Sequence, residues 1–131
     1  MVILITGKAG SGKSHYSQAL AKELTDAGAP VATFDGDALR SETGNKDFSD
    51  KGRIQNLIKA ASLARQREFA GDVVILSFVA PRKEWRDIMR SFWDKSRLVY
   101  MPGGTLWKDT TYEIPTDDEF EIYNNKIIGG K

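Results

Sequence analysis

Near its amino terminus the chain reads Gly7-Lys8-Ala9-Gly10-Ser11-Gly12-Lys13-Ser14, a full match to the phosphate-loop pattern G-x-x-x-x-G-K-S/T. The chemistry asks for these residue types. Glycines let the backbone wrap closely around an anion and turn its N–H groups toward phosphate oxygens, and the helix that follows adds the positive end of its dipole. Lys13 brings a point charge to the β- and γ-phosphates, and the Ser14 hydroxyl is a small, hard ligand suited to Mg²⁺. The predicted nucleotide-binding stretch runs from Gly7 to His15; His15 itself reads as a helix-surface residue outside the chemistry. Such a pattern is meaningful only between a strand and a helix, and Val2 to Thr6 and the apolar spacing after Lys13 supply both. The expectation is a site for a nucleoside triphosphate, ATP, with Mg²⁺.

What the loop serves depends on the acids around it. A GTPase needs a guanine-reading Asn-Lys-x-Asp motif, which is absent from the sequence. An ATPase motor carries a hydrophobic strand ending in Asp-Glu, whereas Val73 to Phe78 ends without a carboxylate. The acids stand instead after the second apolar run, as Asp35-Gly36-Asp37. At the carboxyl edge of a parallel sheet they can hold Mg²⁺ through water or accept a proton from a substrate hydroxyl. That suits a kinase of a small molecule or of a polynucleotide, with Lys13, Asp35 and Asp37 as catalytic candidates and Ser14 and Asp35 as metal candidates.

Composition removes other chemistries. The chain has 131 residues, no cysteine and one histidine, which excludes disulfide frameworks, thiol nucleophiles and Cys-based metal sites and disfavours a histidine triad. Lys plus Arg total 19 against 18 Asp plus Glu, for a net charge of +1, so bulk positive field does not point to nucleic acid. With 40% hydrophobic and 28% charged residues the chain reads as one globular domain over 1–131. No apolar run approaches a bilayer span, and no signal peptide precedes the first strand, so the expected compartment is the cytoplasm and no membrane partner is expected.

The elements that must position these residues alternate. Short apolar runs at Val2–Thr6, Val31–Phe34, Val73–Phe78 and Leu98–Met101 read as strands buried on both faces. Helices are expected from Lys13 to Ala27, on Tyr16, Ala19, Leu20 and Leu24, and from Asp50 to Phe69. The stripe of the latter is Ile54, Leu57, Ile58, Ala61 and Ala64, with Phe69 near it and Leu63 opposite. A third helix opens at Pro81 with Trp85, Ile88, Met89, Phe92 and Trp93 at helical spacing. Residues 41–50 read as a loop, and short strands are expected around Phe120–Tyr123 and Ile127–Ile128. Alternation of this kind predicts an α/β fold, three layers with a mainly parallel sheet flanked by helices and right-handed crossovers.

Taken in order, Gly7 to Ser14, Asp35-Gly36-Asp37-Ala38-Leu39-Arg40, Phe48-Ser49-Asp50-Lys51-Gly52-Arg53 with Asn56, and Ser77-Phe78-Val79-Ala80-Pro81-Arg82 resemble the successive motifs of the adenylylsulfate (APS) kinases. Tyr112-Glu113-Ile114-Pro115 resembles a late motif of that family. The resemblance implies a P-loop kinase fold and transfer of the γ-phosphoryl group of ATP to a hydroxyl of a small nucleotide, adenylylsulfate. It implies that Asp35 and Asp37 orient Mg²⁺ and the acceptor hydroxyl, and that Arg40, Arg53 and Asn56 grip the anionic part of the acceptor. Phe48 would pack on its base, and Ser77, Phe78, Val79, Ala80 and Pro81 are further acceptor-binding positions.

Two departures stand out. The family's Ser-Pro-Tyr is here Ala80-Pro81-Arg82, and the basic lid segment is replaced by the short interval Pro102 to Thr111. A lid excludes water from the transferred group. Its shortness leaves room for a bulkier acceptor, a nucleic-acid 5′-hydroxyl end or a modified nucleotide in DNA, for a lid lent by a partner subunit as in a homodimer, or for a nucleotide-binding module without catalysis. Among weaker signals, Arg82, Arg86 and Arg90 read as a solvated flank or, less readily, an anion-guiding ridge. Trp85, Phe92 and Trp93 read as core, and Trp107 and Tyr112 as aromatics on which a base can stack.

Overall fold

The computed structural model describes residues 1–47, 49–105 and 111–115, together with the backbone of 122–123 and 126–127. Phe48 and Trp107 lie outside the described residues. The elements run β1 (Val2–Gly7), α1 (Lys13–Asp26), β2 (Val31–Asp35), α2 (Gly36–Thr43), α3 (Asp50–Phe69), β3 (Val73–Phe78), α4 (Lys83–Arg90), β4 (Ser96–Met101), β5 (Ile122–Tyr123) and β6 (Lys126–Ile127).

Sheet order is β2-β3-β1-β4-β5-β6. The first five strands are parallel to their neighbours, and β6 pairs antiparallel with β5. Every residue of β1 is buried, which is why it reads as an unbroken apolar run and not as an alternation. Side chains of successive residues go to opposite faces. Val2, Leu4, Val74, Leu76, Leu98 and Tyr100 meet the helices on one side, through Leu39, Leu57, Ala60, Ala61, Ala64, Trp85 and Met89. Ile3, Ile5, Ile75, Val99 and Met101 meet Tyr16, Leu20, Ala21 and Leu24 of α1 on the other. The three layers follow directly. Because the strands are parallel, the carboxyl ends of β1, β2, β3 and β4 share one edge, the edge at which open α/β sheets bind ligands.

Several expectations are corrected. The stretch read as a loop at 41–50 begins inside α2, an eight-residue helix. Asp35 caps it by accepting from the amides of Asp37 and Ala38, and Gly44 stops it at φ 70°. Its buried face is Leu39 alone, too little to show a periodicity. The last helix begins at Lys83, not Pro81, and ends at Arg90, so Phe92 and Trp93 reach the core from the turn beyond it. In α3, Leu63 packs on the core while Phe69 is 95% exposed and Ile58 is also on the surface. The helix turns Glu68 inward to accept the amides of Asp94 and Lys95, and Phe69 one residue on faces out. Ala19 of α1 is exposed as well.

The arginine series on α4 is the largest correction. Arg86 is fully buried and Arg90 nearly so. Arg86 donates to the carbonyls of Ala80 at 2.7 Å and Glu113 at 2.8 Å, and Arg90 to Ser96 Oγ at 3.0 Å. Arg82 alone is surface-exposed, paired with Asp50 at 3.0 Å and lying over the Trp85 ring. The two inner guanidiniums are neither a solvated flank nor an anion ridge; they tie loops to the sheet. Among the described residues no helix is long and apolar enough to cross a membrane.

Candidate active site

At the shared strand edge lies a cleft of about 390 Å³. One end is the loop between β1 and α1. Helix α1 starts behind Gly12, at φ 95°, with no side chain capping its first turn, so the orphan amides there are left for an anion. Ala9, Gly10, Gly12, Lys13, Ser14 and His15 line the cleft. Gly7, Lys8 and Ser11 do not, and instead shape the loop from behind. Gly7 pairs with Met101 of β4, and the Lys8 carbonyl accepts both the Ser11 amide at 3.2 Å and Lys13 Nζ at 3.0 Å. Burial lowers the Lys13 ammonium below the ordinary lysine value, against the opposing pull of Asp35 and then Asp37.

The carboxyl end of β2 brings in the acids. Asp35 Oδ1 is taken by the amides of Asp37 and Ala38, while Oδ2 faces the Ser14 hydroxyl at 3.3 Å. Among the described residues no cluster of three or more His, Asp or Glu stands ready to hold a metal. One hydroxyl beside one carboxylate nonetheless fits Mg²⁺, which keeps several waters and completes its octahedron from substrate phosphates. Asp37, in the first turn of α2, reaches the cleft from an exposed position.

Beyond the acids the cleft becomes cationic. Arg40 from α2 and Arg53 from α3 both line it. Burial, and then the neighbouring Arg53, hold the Arg40 guanidinium below its ordinary value, with Asp37 and Asp47 pulling the other way. Two guanidiniums that close are stabilised by an anion between them. The floor carries buried polar atoms with no protein partner, Asn56 Oδ1 and Ser77 Oγ, and buried orphans of this kind are paired when a ligand fills the space. Phe78, Val79, Ala80 and Pro81 form the wall. Ala80 sits at φ 42°, a left-handed conformation that an alanine adopts only under constraint. The constraint is visible: Thr6 Oγ1 donates to the Val79 carbonyl, and Arg86 donates to that of Ala80.

The structure therefore gathers into one cleft the acceptor-side residues expected from the sequence, Phe48 excepted as lying outside the described residues. Tyr112 is not a platform for a base. It stacks on Tyr100, shares a hydrogen bond with Thr6 at 2.8 Å and lies under Arg86, so it backs the wall. Thr105 was missed. It lines the cleft and bridges to Ala9, and the Gly103-Gly104 pair before it was the signal.

Known proteins are similar to this chain in sequence and in fold. A sequence profile of the family described as adenylylsulphate kinase matches residues 1–103. An adenylyl-sulfate kinase of Bacillus licheniformis is 40% identical over a 129-residue alignment covering 87% of this chain and 65% of that one. One of Staphylococcus epidermidis is 34% identical, covering 75% and 50%. A solved Mycobacterium tuberculosis APS kinase superposes with a TM-score of 0.76 at 25% identity, over 88% of this chain and 80% of that one. The chain thus spans from half to about two-thirds of the curated relatives named here. Matched by the family profile over residues 1–103, most of its length, the chain belongs to the adenylylsulphate kinase family.

Proposed function

We propose that the chain is a Mg²⁺- and ATP-dependent kinase that phosphorylates a hydroxyl group of adenylylsulfate. One observation carries the reading: a single cleft runs from an uncapped phosphate loop, past two carboxylates, to an arginine pair above orphaned polar atoms. Donor and acceptor anions are thereby held at opposite ends with the carboxylates between them. The loop amides and Lys13 stabilise the triphosphate, and Ser14 and Asp35 hold Mg²⁺. Bound there, the ion would neutralise charge developing on the phosphates. Asp37 orients the acceptor hydroxyl and takes its proton as the oxygen bonds to the γ-phosphorus and the bond to ADP breaks. Arg40, Arg53 and Asn56 receive the acceptor's anionic group.

ADP release measured with Mg-ATP alone, with adenylylsulfate, and with a 5′-hydroxyl oligonucleotide tests this. Stimulation by adenylylsulfate is the expected result. Stimulation by the oligonucleotide alone would transfer the mechanism to a nucleic-acid acceptor, and no stimulation by either would refute the kinase reading for both.

Two substitutions separate the acids. Asp37→Asn is expected to keep ATP binding and lose turnover by about 10²-fold or more; an unchanged kcat removes Asp37 from the proton path. Asp35→Asn keeps a capping side chain, so it should leave thermal stability in place while raising the Mg²⁺ concentration needed for half-maximal rate. Asp35→Ala should add a loss of about 1 kcal/mol from the uncapped α2. Equal Mg²⁺ requirements for Asp35→Asn and the wild type would place the metal elsewhere.

A further inference from the structure

The segment after β4 folds back across the phosphate loop. Gly103 and Gly104 take φ values of 90° and 78°, and Thr105 then donates its amide to the Ala9 carbonyl at 2.8 Å, forming an isolated antiparallel bridge. The approach is closest at Gly104. A Cβ there would lie 2.5 Å from the Ala9 carbonyl oxygen, 3.0 Å from the Ser11 nitrogen and 3.1 Å from the Lys8 carbonyl oxygen. All three atoms belong to the phosphate loop, and the Lys8 oxygen is the one that Lys13 Nζ and the Ser11 amide share. At Gly103 a Cβ would meet nothing within 4 Å.

From this contact we infer that the Gly104–Thr105 backbone is a clamp on the outer limb of the phosphate loop, and that Gly104 is a positioning residue for triphosphate binding. The inference rests on the nucleotide reading above and extends it to a segment outside the residues 1–103 that the family profile matches. Loop amides bind phosphate well only when they already converge, because fixing them on binding subtracts from affinity. Gly7, behind the loop, already abuts Met101, where a Cβ would come within 2.6 Å of the carbonyl oxygen. Strand β4 and its extension therefore hold the loop from two sides.

The two glycines make the test clean, since each needs a positive φ but only one touches the loop. Affinity for a non-hydrolysable ATP analogue with Mg²⁺, read by calorimetry, should fall about tenfold or more in Gly104→Ala. In Gly103→Ala it should stay within about twofold; both variants lose thermal stability from the backbone strain, and Gly104→Ala loses more because its Cβ also meets the loop. In the ligand-free protein, amide hydrogen exchange across residues 8–13 should quicken in Gly104→Ala only. Matching affinities and exchange in the two variants would overturn the clamp. A wild-type chain that takes up no analogue would sink the nucleotide reading, and the exchange comparison alone would then decide whether the clamp exists.

Discussion

Lys13→Ala should lower kcat for adenylylsulfate-stimulated ADP release by about 10²–10³-fold, the size of effect seen when one preorganised charge-stabilising donor is removed. The melting temperature should hardly move. Both halves of that expectation come from the same geometry. Lys13 Nζ donates to the Lys8 carbonyl, but that oxygen also accepts the Ser11 amide, so truncation orphans no buried acceptor. The half-buried ammonium, lowered by burial and offset by Asp35 and Asp37, is poised for an arriving anion and adds little to the fold without one. Because its proton is held less tightly than an ordinary lysine's, the alkaline fall in activity should begin at lower pH than that of a solvated lysine. Arginine is no substitute, since a planar fork does not reproduce a compact point charge. A variant that retains full turnover, or one that loses turnover only because it melts, would remove Lys13 from the mechanism.

The largest loss of stability is expected from Arg86→Met. Replacing a buried ion pair by apolar residues is often neutral, because both partners and both desolvation penalties disappear together. Backbone partners do not disappear in this way. Arg86 bonds to backbone carbonyls, of Ala80 and of Glu113, and these stay when the guanidinium goes. Each loses a charge-assisted hydrogen bond of about 1.5–3 kcal/mol. A total of about 3–6 kcal/mol is expected, or about 15 °C in the melting temperature. Arg86→Lys should fall between, since one ammonium cannot reproduce a fork aimed at two separate loops. A midpoint within about 2 °C of wild type for Arg86→Met would mean that the carbonyls find other partners. Ala80 gives a second readout. Once released it can relax from φ 42°, and the KM for the acceptor should rise more than that for ATP, because Ala80 and Pro81 wall the acceptor end of the cleft.

What the sequence shows plainly and what it hides divide along a physical line. The four central strands were legible because parallel strands buried on both faces are continuous apolar runs, and the phosphate loop because its glycines and Lys13 serve a local purpose. The acids after β2 were legible from their place beside the phosphate loop, the arginines of α2 and α3 chiefly as parts of an ordered set of motifs. Helix α2 was hidden because it buries one residue; the Asp35 cap and the Gly44 stop were its signals, and polar composition outweighed them. The burial of Arg86 and Arg90 was hidden more deeply. Their partners among the described residues include carbonyls and a hydroxyl on Ala80, Glu113 and Ser96, and a helical wheel of α4 contains none of these. Thr105 was missed for the same reason, since its partner Ala9 stands far away in the chain.

Strand β1 precedes in the sequence both strands that flank it in the sheet, an order with a price in time. Val2 pairs with Val74 on one side and with Ser96 on the other, so neither edge of β1 finds its partner until most of the chain has been made. At bacterial or eukaryotic elongation rates that wait is roughly 4–20 s. Throughout it, a strand that the finished fold buries completely is without its sheet, the exposure that makes nonlocal pairing slow and aggregation-prone. The phosphate loop shares the delay. Gly7 rests on Met101 and Ala9 on Thr105, so the cradle takes shape only when the ribosome has delivered β4 and the residues just after it. Cellular ATP can therefore stabilise the finished fold but cannot guide the nascent one.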